Sequence, residues 1–206
     1  MDISQNIISI TIFLVVLFFS VALHEMMHAY VALRLGDDLA HSRGRISLNP
    51  LSHIDPVLTI ALPAGLLLLG LPPILAAKPV PINTSRIKGE ELGLAAVGIA
   101  GPLTNLAIAI VAAVAINLST ANGIALDILS MVLMLNVGLF VFNMIPFPPL
   151  DGSRLLYAFA PEPVQNVMRQ IESFGIFGVI LILSVLYPVI SPIISGVQNT
   201  LLNILL

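Results

Sequence analysis

The chain has 206 residues, of which 58% are hydrophobic and 9% charged, and carries a net charge of −3 at pH 7; its mean hydropathy is +1.05. These values exclude an ordinary soluble domain and a basic nucleic-acid-binding surface, and they describe a protein of the lipid bilayer. With no cysteine in the chain, neither disulfides nor thiolate ligation is available, so a metal would have to be held by His, Asp, Glu or Asn.

Residues 1–6 have no basic segment, so no cleavable leader is expected. The apolar run 7–35 predicts a first helix that ends at Gly36, with Arg34 in its last turn. Inside it lies His24-Glu25-Met26-Met27-His28. Residues four apart share a helix face, so two imidazoles can grip one zinc ion while Glu25 can reach a water held there. Such a motif also occurs by chance in soluble helices. Within an apolar span, however, the acid alone costs about 2.5 kcal/mol or more to insert, which favours a functional reading.

Residues 37–56 are polar and turn-rich, and read as short strands or an irregular loop. Residues 57–77 are apolar but interrupted by Pro63, Gly65, Gly70, Pro72 and Pro73, giving either a broken span or a dip that returns to the same side. In Lys78-Pro79-Val80-Pro81-Ile82-Asn83 the alternate prolines forbid a helix and suit an edge strand, with Lys78 and Val80 as candidate substrate-binding positions. A second long helix is expected over 90–118, carrying Gly101-Pro102-Leu103-Thr104-Asn105, and a third over 124–143. The chain then breaks at Met144-Ile145-Pro146-Phe147-Pro148-Pro149-Leu150-Asp151-Gly152. A short amphipathic piece (153–172) precedes a last span (174–206), with Pro188 and Pro192 as expected kinks.

All eight basic residues lie in loops or at helix ends. If 57–77 dips back, they all fall on one side, which the positive-inside rule makes the cytoplasm. The same topology brings His24, His28, Asn105 and Asp151 to a similar depth. The expected fold is therefore an all-α polytopic membrane protein with a small membrane-associated β element, four to five transmembrane helices and a re-entrant segment. One transmembrane domain covers 1–206, with its core at 7–154 and an additional C-terminal span.

A catalytic zinc takes three protein ligands and keeps one position open. Asp151 is the best third ligand, because non-helical backbone at membrane depth is tolerated only where it is packed in protein or lines a cavity. His53 is the rival ligand, or else a loop organiser; His41 is expected to be solvated.

Taken in order, His24-Glu25-x-x-His28, Gly101-Pro102-x-x-Asn105 and Asn143-x-x-Pro146-x-x-x-Leu150-Asp151-Gly152 resemble the site-2 protease family of intramembrane zinc metalloproteases. Leu48-Asn49-Pro50, His53-Ile54-Asp55 and Lys78-Pro79-Val80-Pro81 resemble its compact bacterial and archaeal members without PDZ or CBS domains. The likeness spans roughly residues 22–154. It implies one catalytic Zn2+ held by His24, His28 and Asp151, with Glu25 as the base, and a membrane-protein substrate with a transmembrane helix. It also implies a prokaryotic cell membrane as the location and Asn143 at the substrate cleft. Asn105 is either a substrate or transition-state contact or interhelical hydrogen-bonding glue. The alternative class is a zinc-binding transporter or a non-proteolytic membrane scaffold, in which Glu25 has no evident task.

Overall fold

The computed structural model describes residues 3–61, 65, 68, 77–120 and 122–206. Helix α1 (Ile3–Arg34) closes at Gly36, whose φ of 108° suits glycine. A short helix α2 (Leu39–Ser42) and a single helical turn at Pro50–His53 follow. Helix α3 (Glu90–Leu118) and helix α4 (Ile124–Asn143) have the expected bounds. The amphipathic piece is two helices, α5 (Gly152–Phe159) and α6 (Glu162–Ser173), before the final helix α7 (Gly175–Leu205).

Among the described residues four helices are long and apolar enough to cross a membrane: Ile7–Arg34, Glu90–Leu118, Ile124–Asn143 and Val185–Leu205. The chain is an integral membrane protein. Most of the proposed dip lies outside the described residues, but its flanks meet. The Lys78 N–H donates to the His53 carbonyl at 2.9 Å.

Helix α3 is the centre of the assembly, packing against α1, α4 and α5. Lipid tails are as apolar as the helices, so association rests on close packing and interhelical hydrogen bonds rather than on the hydrophobic effect. Its buried positions are accordingly small: Gly98, Gly101, Ala109, Ala112 and Ala113. The last three meet Leu133, Val137 and Val141 of α4, with Ile194 and Leu201 of α7 against the same cluster.

The expected β element is not formed: among the described residues there is no strand, and 77–83 runs without helix or ladder. The reason is physical. A strand is defined by its partner, and among the described residues this segment is held at its ends by side chains and a backbone bond, with two of its N–H groups removed by Pro79 and Pro81. The 37–56 region likewise forms helical turns rather than strands.

Candidate metal centre

His24 and His28 occupy one face of α1 and are both buried. The turn after α4 brings Asp151 to them. Its Oδ2 lies 3.0 Å from His24 Nε2 and 3.3 Å from His28 Nε2, and the two Nε2 atoms are 3.0 Å apart. The three form a group able to hold a metal ion. Asp151 is brought this close because Gly152 packs on the Met144 backbone, where an added Cβ would lie 2.3 Å from the Met144 oxygen. Burial would raise the Asp151 carboxyl, but the neighbouring imidazoles outweigh it and hold it well below the usual carboxylate range.

The hydrogen bonds behind the imidazoles decide what these atoms are. His28 Nδ1 faces the Val97 carbonyl at 2.7 Å, an oxygen that only accepts, so Nδ1 carries the proton. For His24 the same result comes through a relay. Asn136 donates one amide hydrogen to the Val132 carbonyl (2.8 Å) and another to Ser20 Oγ (2.9 Å). Its Oδ1 must then accept from Asn105 Nδ2 (2.9 Å). Asn105 Oδ1 is left to accept from His24 Nδ1 at 2.6 Å.

With Nδ1 of each imidazole donating backwards, both rings turn Nε2 toward each other and toward the Asp151 carboxylate. A cation among these three atoms, a proton or a metal ion, is what holds such a cluster together, and a polar second layer that orients the imidazoles is what metal sites use. The donor set of two imidazoles and a carboxylate, with no sulfur, fits zinc with a position left open.

Helix α3 makes room for this. An added Cβ at Gly101 would lie 2.4 Å from His28 Nε2 and 2.6 Å from His24 Nε2. Pro102 removes the N–H that would have bonded the Gly98 carbonyl, in the same turn where the Val97 carbonyl turns to His28.

The remaining candidates sort as follows. Glu25 is half-buried beside the first ligand and within electrostatic reach of His28 and Arg45. Asn105 is fully buried against His24 and Asn136. Asn143 turns its amide back to the Leu139 carbonyl at 2.9 Å and joins no hydrogen bond with the three ligands. Lys78 is exposed and Val80 half-buried, on the segment beyond the loop. His53 stands apart from the ligand group. Its Nε2 bonds the Ser47 carbonyl at 2.9 Å and its own carbonyl takes the Lys78 N–H, both contacts within or at the end of the loop.

Two features escaped the sequence. Asn136 and Ser20 complete the relay. An amide in the middle of the apolar run 124–143 was the available signal. Arg45 is the other, buried with its guanidinium on the Ser52, Lys78 and Pro79 carbonyls. Burial lowers it from its usual value while the Glu25 carboxylate opposes that.

Peptidase family M50 matches this chain over residues 117–186, from the end of α3 through Asp151 into α7. "Putative zinc metalloprotease YwhC" of Bacillus subtilis is 34% identical over 201 residues, covering 92% of this chain and 89% of that protein. Rip2 proteins of the same designation are similar. The one from Mycolicibacterium smegmatis is 28% identical over 172 residues, 80% of this chain and 63% of that protein. The one from Mycobacterium tuberculosis H37Rv is 28% identical over 190 residues, 90% and 70% respectively. The likeness thus runs well past the 22–154 stretch that carries the motifs. No solved structure matches. With this coverage and a donor set that fits zinc, the chain belongs to peptidase family M50, the site-2 protease family, and is a membrane-embedded zinc metalloprotease.

Proposed function

We propose that the protein hydrolyses peptide bonds in or near the transmembrane helices of membrane-protein substrates, with Glu25 as general base. The observation that carries this is the convergence of three potential ligand atoms, His24 Nε2, His28 Nε2 and Asp151 Oδ2, where the first membrane-spanning helix meets the turn after the third. Zinc held there supplies a Lewis acid that polarises a carbonyl and acidifies water.

The chain's own residues do the rest. Glu25 takes a proton from the attacking water and returns it to the leaving amine. A helix cannot be cut while its carbonyls are bonded internally, so the substrate must unwind. The Lys78–Asn83 backbone, which has no strand partner among the described residues, accepts it by strand addition. Lys78 and Val80 belong to that edge, and Asn143 reaches the cleft by releasing the Leu139 carbonyl. The meeting of His53 and Lys78 supports a re-entrant course for the segment between them. With that course the basic residues and the metal group would share one side, the cytoplasmic side of a prokaryotic membrane by the positive-inside rule.

The test is Glu25→Gln in the purified full chain and in cells with a co-expressed single-span substrate. Bound zinc stays equimolar while cleavage falls on the order of 10²- to 10⁴-fold. Cleavage at the wild-type rate refutes the assignment of the base.

A further inference from the structure

Two buried charges of opposite sign hold the ends of the 78–83 segment, and the chemistry above uses neither. Arg45 is 4% exposed, and its guanidinium donates to the carbonyls of Ser52, Lys78 and, at 3.4 Å, Pro79. Asp37 is 0% exposed. Its Oδ2 accepts the Asn83 N–H at 2.6 Å while its Oδ1 accepts the Leu39 N–H at 3.0 Å.

Between these anchors Pro79 and Pro81 have no N–H, and Val80 and Ile82 make no hydrogen bond among the described residues. Both ends of the segment lie near α1. The Asp37 N–H bonds the Ala32 carbonyl at 2.9 Å. At the other end Ala77 lines a small cavity with Leu17 and Val21, which at helical spacing lie on one stripe with His24 and His28. Burying an ion is expensive, and a loop that needed only to be closed could use neutral donors.

We propose that Arg45 and Asp37 are positioning residues for peptide hydrolysis, fixing the Lys78–Asn83 backbone to α1 as a preformed edge with Val80 and Ile82 free to pair with an unwound peptide. This rests on the edge reading under Proposed function. The two-ended hold keeps the register between edge and metal group constant, which is what a bond must have to be presented to Glu25.

The chain has no cysteine, so Ile82→Cys carries one spin label, read by electron paramagnetic resonance in nanodiscs. Arg45→Gln and Asp37→Asn are each added to it. Kinetics use a fluorogenic single-span peptide that the wild-type chain cleaves, and the same peptide N-methylated near the scissile bond. The label becomes more mobile in both variants, zinc stays equimolar, and KM rises about tenfold with a smaller change in kcat. Arg45→Lys restores only part, since an ammonium cannot span two carbonyls as a planar fork does.

An unchanged label in both variants, or a mobile label with unchanged KM, overturns the proposal. If Arg45→Gln loses zinc, Asp37→Asn decides by the same two readings. Equal cleavage of the N-methylated peptide by the wild type removes the edge reading itself, whatever the label reports.

Discussion

Gly101→Ala offers the sharpest test of the metal centre. The added methyl carbon would lie 2.4 Å from His28 Nε2, 2.6 Å from His24 Nε2 and 2.7 Å from His24 Cδ2, where ordinary contact starts at 3.4 Å. The nearest atoms are the ligating nitrogens themselves, and each imidazole is tied from behind, to Asn105 and to Val97. Relief therefore requires about 1 Å of movement by the ligands or by α3, against a tolerance of roughly 0.2 Å in metal–ligand distance. The zinc dissociation constant should rise by at least the ~10- to 100-fold seen when a supporting partner is removed. The overpacked interface should lose about 1–3 kcal/mol of stability. Competition with a chromophoric chelator measures the first and thermal unfolding in detergent the second. Gly196→Ala on α7, where nothing lies within 4 Å of the new carbon, is the control and should be neutral or stabilise slightly. Wild-type zinc affinity in Gly101→Ala would show that the imidazoles do not meet α3 as described.

Asn105→Ala strips His24 of its acceptor and Asn136 of a donor; zinc affinity should fall ~10- to 100-fold, read by the same competition. Unaltered affinity would assign Asn105 to helix packing alone. Chelation by EDTA should lower the unfolding temperature, because ligand binding at 100 times its dissociation constant contributes about 2.7 kcal/mol. A melting curve indifferent to chelator and to added zinc would count against a bound ion. His53→Ala should keep zinc equimolar and lose about 1–3 kcal/mol from the unsatisfied Ser47 carbonyl and loosened loop. Zinc loss there would return His53 to the ligand set.

The helices were legible because their signals are local. The spans 90–118 and 124–143 are bounded by Gly89 and Gly123 and by polar breaks, and residue period and turn chemistry need no partner to be read. The candidate ligand group was legible because His24 and His28 share a face and Asp151 follows a run that three prolines end. What stayed hidden depends on where a second segment lies. Asn105 reads as a polar residue in an apolar helix whether it meets substrate, a neighbouring helix or His24. Only the position of Asn136 and the Val132 carbonyl behind it settles which way its amide points. Arg45 reads as one basic loop residue among eight, and its burial follows from the return of the chain at Lys78. The edge strand failed for the complementary reason: its prolines argue against a helix, but a ladder needs a second backbone, and none pairs with it among the described residues.

Helix α3 gives the ion no donor, yet it sets the tautomer of both imidazoles and clears the volume they occupy. Ion preference and ligand geometry are thus assigned to separate parts of the polypeptide. Exchanging the one carboxylate for a different donor retunes which cation is favoured while the nitrogen pair keeps its aim, so selectivity can drift or be engineered at residue 151 with the scaffold left alone.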